Sequence, residues 1–129
     1  MDILLMLHTI VPLFILLVAV IAIIKFTLGW LRGGEFKGMD RGLMAGFSGL
    51  MDLQVTLGII YLLWNGFAQE GFPAFRIEHA ITMIIAAVVA HLPARWKNVD
   101  DKTRFRNNLF VIVAVIVLVV IGVSLLIGN

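Results

Sequence analysis

The chain has 129 residues, 61% of them hydrophobic and 14% charged, with a formal net charge of +2. Soluble domains carry ~45–50% apolar residues, so this composition excludes an ordinary water-soluble globule. Cysteine is absent, which removes disulfides, thiolate metal sites and thiol nucleophiles.

Four apolar runs fill nearly all of the sequence, at 3–28, 43–67, 75–92 and 109–127. Each reaches or approaches the ~20 residues that a helix needs to cross ~30 Å of hydrocarbon. The connections 29–42, 68–74 and 93–108 are too short to bury a core of their own. The expectation is an all-α polytopic membrane protein, an antiparallel bundle of four transmembrane helices forming one domain over 1–129. Short connections favour packing between sequential neighbours.

The first run lacks a basic leader and exceeds the length of a signal-peptide core, so it is expected to stay as a span. His8 lies two turns into it, with Pro12 four residues on. Proline has no N–H to give to the carbonyl one turn back, so the His8 carbonyl is left free. Lys25, near the far end, is placed to snorkel to the headgroups. Gly33, Gly34 and Gly38 then break the chain between helices.

The second run is the most polar, holding Ser48, Asp52, Gln54, Thr56, Tyr61 and Asn65. Gly42 and Gly46 form a GxxxG pattern that Ala45 and Gly49 repeat, a spacing that lets helix backbones approach closely. This predicts a helix at the protein-facing centre of the bundle. Asp52 is expensive at mid-membrane unless neutral or paired, and His91, Lys25 and Thr56 are its candidate partners.

The third run opens after Pro73 with Arg76, Glu78 and His79, and ends at His91 before Pro93. Glu78 is expected to cap the helix or pair with Arg76. The fourth run is almost entirely Val, Ile and Leu, broken by Gly122 and Ser124. It has the character of a lipid-exposed wall.

Basic residues cluster at two of the three connections. Lys25, Arg32, Lys37 and Arg41 surround the first, and Arg95, Lys97, Lys102, Arg104 and Arg106 the third; only Arg76 lies by the second. The positive-inside rule puts connections one and three in the cytoplasm and both termini outside. Trp30 and Trp96 then mark the inner headgroup level and Trp64 the outer one. Positive charge confined to two short juxtamembrane loops offers no folded reading surface, so nucleic-acid binding is not expected.

On this topology His8 and His79 lie at depths only ~5 Å apart. Two imidazoles on different helices at one depth are what a bis-histidine haem b within a bundle requires. Gln54, Gly58, Tyr61 and Asn65 form a stripe on the second helix, with Gly58 permitting close approach. Met83, Ala86 and Ala90 extend the His79 face, the alanines leaving room for a flat ring. Arg76 is placed to neutralise a propionate. The candidate site is therefore His8 and His79 as iron ligands, with Gly58, Gln54 and Arg76 around the cofactor. No CxxCH is present, so covalent haem attachment is excluded. The competing readings are histidines that only hydrogen-bond across a helix interface, or that contact a quinone or a proton. His91 lies ~18 Å along the helix from His79 and ~120° around it. It is expected to partner Asp52 or to mark the boundary before Pro93.

Several short motifs, taken together, resemble a group of small bacterial multi-pass proteins labelled cytochrome b-like. They are Leu7-His8, the stretch from Trp30 to Asp40-Arg41, Asp52-Leu53-Gln54 with Leu57-Gly58 and Tyr61, Glu78-His79, and Ala90-His91. The likeness extends to about Leu109; the ending Ile127-Gly128-Asn129 lacks the aromatic-basic tail of that group. The resemblance implies a four-helix protein of the bacterial plasma membrane with haem b on His8 and His79. The function expected is single-electron transfer in a respiratory-type chain, with a quinol or a membrane protein as partner. The alternative is a cofactor-free accessory or assembly subunit of a larger respiratory or photosynthetic complex. An electron carrier or accessory protein is favoured over a catalyst.

Overall fold

In hydrocarbon the backbone N–H and C=O groups must be satisfied within the segment, and an unbroken helix does this residue by residue. The computed structural model describes residues 2–127 and realises each apolar run in that form. Helix α1 spans Asp2–Arg32, α2 Gly38–Asn65, α3 Ala74–Ala90 and α4 Asp101–Ile127. A π-helical turn, Gly66–Glu70, continues α2, and a 3-10 turn, Leu92–Trp96, follows α3. Gly33 closes α1 and Gly71 the π turn, both at positive φ, where a side chain would be strained. Each helix thus begins before its apolar window, most of all α4, where the basic stretch from Asp101 onward is already helical. All four helices are long and apolar enough to cross a membrane.

The helices pack as a ring: α1 against α2 and α4, and α3 against α2 and α4. Helices α1 and α3 therefore face each other across the diagonal. One continuous core joins Ala22 and Phe26 of α1, Phe47 and Met51 of α2, Ala86 of α3, and Ile112 and Val115 of α4.

Two expectations about the spans are revised. Helix α4 is a lipid-facing wall on one side only: Phe110, Val113 and Val117 are exposed, whereas Phe105, Leu109, Ile112 and Val115 are buried in the core and Gly122 is buried against α3. Nor does the small-residue stripe of α2 face inward. Its buried side is Asp40, Met44, Phe47 and Met51, while a Cβ built on Gly42, Gly46 or Gly49 meets nothing within 4 Å among the described residues. Lipid and protein core are equally apolar, so hydropathy alone cannot tell which face of a membrane helix is buried.

The end of the bundle that carries the basic loops is held by specific polar pairs. Lys25 does not reach outward; its Nζ lies 2.8 Å from Oδ1 of the fully buried Asp40. The other Asp40 oxygen accepts from the Lys37 backbone N–H at 2.9 Å, fastening the start of α2. The rings of Phe26, Phe36 and Phe105 pack around each other with centroids 5.0 to 6.0 Å apart. The Arg104 guanidinium lies 4.1 Å above the Phe36 ring, a cation–π contact. Trp96 donates its indole N–H to the buried Asn108 at 2.7 Å, tying the 3-10 turn to α4. Glu78 is exposed and belongs to neither ion pair found among the described residues, and α3 is entered through Pro73 instead.

Two predictions follow from this end of the fold. Asp40→Ala removes both the ion pair and the backbone acceptor, and is expected to destabilise the bundle by ~2–3 kcal/mol, below the range for a fully buried pair because Lys25 is partly exposed. Thermal unfolding in mild detergent measures this, and Lys25→Met combined with Asp40→Leu is expected to recover most of the loss. Asp100 caps α4 by accepting the Thr103 N–H at 3.1 Å. The Thr103 hydroxyl and then its N–H hold the Asp100 carboxyl below its usual 3.8. The depressed folded value means that the cap's contribution is present above pH 3.8 and is lost as pH falls through the folded value. Carboxyl NMR titration is expected to show a midpoint below 3.8 that returns toward it in Thr103→Val.

Candidate functional site

Away from the basic loops, the bundle opens around a cavity of about 580 Å³, within the ~300–1,000 Å³ typical of small-molecule and cofactor sites. Helix α1 contributes His8 and Pro12, α2 Gln54 and Gly58, and α3 His79 and Met83, while α4 supplies the valine wall around Val119. The two histidines thus reach one space from diagonally opposed helices.

Each side chain is placed by a local feature of the sequence. Pro12 lies inside α1 without ending it, and the His8 carbonyl that it leaves free accepts the Gln54 side-chain N–H at 2.8 Å. Gly58 then gives the imidazole its seat: a Cβ there would stand 2.9 Å from His8 Cε1. On the other side, His79 Nδ1 lies 2.8 Å from the Gly122 carbonyl of α4. A carbonyl only accepts, so Nδ1 carries the proton and the neutral ring keeps its lone pair on Nε2. A Cβ at Gly122 would collide with the Met83 methyl and stand 3.4 Å from His79 Nδ1.

Three buried polar atoms near this space have no hydrogen-bond partner among the described residues: His8 Nδ1, Gln54 Oε1 and Arg76 Nη1. Most buried side-chain polar atoms do have partners. Arg104 Nε, at the other end of the bundle, likewise lacks one among the described residues, so it is the two orphans on cavity-lining residues, His8 Nδ1 and Gln54 Oε1, that point to a bound group. Arg76 does not line the cavity. It sits one turn before His79, with its guanidinium carbon 5.9 Å from the Phe75 ring centroid.

The structure therefore brings His8, His79, Gln54 and Gly58 together and leaves Arg76 just beyond them. Ala86 and Ala90 pack in the core rather than lining the cavity, where Ala80 and Met83 take their place. Tyr61 and Asn65 fall outside the lining. Sequence reasoning missed the part played by α4, although Gly122 stands out as a small residue in a run of Val, Ile and Leu. Most of the exposed lining residues, Thr9, Leu13 and Leu16 of α1 and Val120, Val123 and Leu126 of α4, put the mouth of the cavity between those two helices, with Ile59 of α2 the other exposed one. Thr9 is the polar side chain at that mouth, and its hydroxyl already donates to the Leu5 carbonyl at 2.8 Å.

His91 belongs to another part of the molecule. Its Nε2 lies 2.9 Å from both carboxylate oxygens of Asp52, the partner expected for it. No known protein family, curated protein or solved structure matches this chain.

The exchange of hydrogen bonds at Pro12 is directly testable. Gln54→Leu strands the His8 carbonyl and is expected to cost ~1 kcal/mol in unfolding free energy. Pro12→Ala restores a backbone donor one turn on, so the double variant is expected to be more stable than Gln54→Leu alone.

Proposed function

We propose that the cavity would hold a haem b through His8 and His79, and that the protein is a membrane electron carrier. The observation that carries this reading is the His79 hydrogen bond to the Gly122 carbonyl. Metal-ligating histidines regularly donate the second ring N–H to a carbonyl or carboxylate, which fixes the tautomer and strengthens the ligating nitrogen. Three further features support it: the unpartnered His8 Nδ1 at the same cavity, an almost wholly apolar lining, and a volume suited to a cofactor. The buried, unpaired nitrogen of Arg76 suits an anionic edge such as a propionate.

When bound, the haem would supply reversible one-electron chemistry. The chain's own residues hold and tune it: Gly122 orients His79, Gly58 and Gln54 seat His8, and the valines of α4 exclude water, a lever on reduction potential. A mostly apolar mouth suits a lipid-soluble electron donor such as a quinol, and a larger membrane complex is a second source of partners. The charge pattern supports an orientation with the basic loops in the cytoplasm, and the resemblance to small bacterial multi-pass proteins suggests the bacterial plasma membrane.

The test is a dithionite-reduced minus oxidised spectrum of the full chain purified from haem-replete cells. A Soret band with sharp α and β bands is expected, absent in His8→Ala and in His79→Ala. Gly58→Ala, which pushes on the His8 ring, is expected to retain less haem. Colourless wild-type protein overturns the proposal and leaves the cofactor-free accessory subunit.

A further inference from the structure

We infer that the α2–α3 face bearing Asp52 and His91 is an interface with a second copy of this chain. The pair is well formed, with both Asp52 oxygens 2.9 Å from His91 Nε2, yet its side chains are 52% and 53% exposed. Asp52 sits at the middle of α2, Gly38–Asn65. Asp52 is twelve residues beyond Asp40, ~18 Å farther along α2, and His91 precedes the 3-10 turn that carries Trp96. Ionisable side chains at hydrocarbon depth almost always face a bundle interior or a water-filled cavity, because exposure to lipid costs several kcal/mol. Here the pair faces out of the four-helix ring, so the ring is not the whole of its protein environment.

The surrounding surface is shaped for a helix. Gly42, Ala45, Gly46 and Gly49 occupy the exposed side of α2 on the basic-loop side of Asp52, and a Cβ on any of the three glycines meets no described atom within 4 Å. Small residues in this arrangement let a second helix backbone come close. Ser48 and Thr56 place no demand on a partner, since their hydroxyls already donate to the Ala45 and Asp52 carbonyls.

The chemistry selects a second copy over an unrelated chain. The face carries an acceptor and a donor side by side, Asp52 with lone pairs to spare and His91 with its Nδ1 uncommitted. A two-fold axis along the membrane normal keeps both copies in one orientation and presents each carboxylate to the other's imidazole. Such an isologous contact is self-complementary by construction. A partner of another sequence would need to supply a matching acid and base.

Disulfide trapping and copy counting test this in the intact chain. Cysteine is absent, so single substitutions report without background. Gly46→Cys and Gly49→Cys are expected to give disulfide-linked dimers on mild oxidation of native membranes. Leu17→Cys and Val117→Cys, on the exposed faces of α1 and α4, are expected to give none. Single-molecule photobleaching in native nanodiscs is expected to count two copies. Gly46→Ile, which the open space around Gly46 accommodates without disturbing the fold, and Asp52→Leu with His91→Leu are each expected to weaken dimerisation by about five- to thirty-fold. One copy per nanodisc, cross-linking that is equal at all four positions, or Gly46→Ile at the wild-type copy number would overturn the inference.

Discussion

A buried polar group has no water to turn to, and the arrangement of these four helices follows from where each such group finds its partner. Asp40 takes Lys25 and the Lys37 amide, which draws α2 back against α1. Trp96 takes Asn108, joining the turn after α3 to α4. Gln54 takes the carbonyl that Pro12 leaves open, and His79 takes the carbonyl of Gly122. Each pair crosses from one element to another, so apolar packing that would tolerate some sliding is held in one register. Hydrophobic burial cannot do this alone, because lipid offers the same environment as a neighbouring helix. The unpartnered atoms therefore stand out. His8 Nδ1 and Gln54 Oε1 belong to residues lining one cavity, with Arg76 one turn before His79, while Arg104 Nε at the other end of the bundle is likewise without a hydrogen-bond partner among the described residues.

Fold class was legible because a window of some twenty apolar residues admits almost no other structure. The helix ends were less so. Residues 101–108 are polar and basic, and hydropathy assigns them to a loop, yet the cap at Asp100 starts the helix there. Hydropathy locates the hydrocarbon, whereas capping locates the helix. The inward and outward faces were misjudged for a related reason. A stripe of glycine and alanine marks a surface where backbones can approach, and it says nothing about whether the approaching helix belongs to the same chain. In α2 no helix of this chain lies against that stripe. In α4 the uniform Val-Ile-Leu sequence hid a buried side rich in contacts.

At the candidate site, the legible parts were those with a local physical signature. A proline four residues after His8 announces a free carbonyl, and a glycine on the facing helix announces room for a ring. The partner of His79 had no such signature. It is a backbone carbonyl on α4, and every residue has one. Only the three-dimensional packing of α3 against α4, allowed by the missing side chain at Gly122, selects it. Depth was legible as well, since counting 1.5 Å per residue from each end put His8 and His79 in one layer. The diagonal placement of their helices required the ring order of the bundle.

Contrast between the two histidine sites shows how far environment decides the use of one side chain. His79 gives its Nδ1 proton to a neutral carbonyl inside the bundle and keeps the Nε2 lone pair, which makes it an electron-pair donor for whatever enters the cavity. His91 turns Nε2 to a carboxylate at the outer surface, so the nitrogen best placed to ligate is already spent. Its remaining nitrogen points to a use between chains rather than within one. The twelve-residue spacing sets this division, because ~120° of rotation along α3 separates the inward face from the outward one. A spacing nearer fourteen would have brought both rings to one side, and a single helix could then have served two sites within the same bundle. With twelve, α3 serves one site in the bundle and one on its surface, which is why the proposed cofactor and the proposed partner occupy different sides of the same helix.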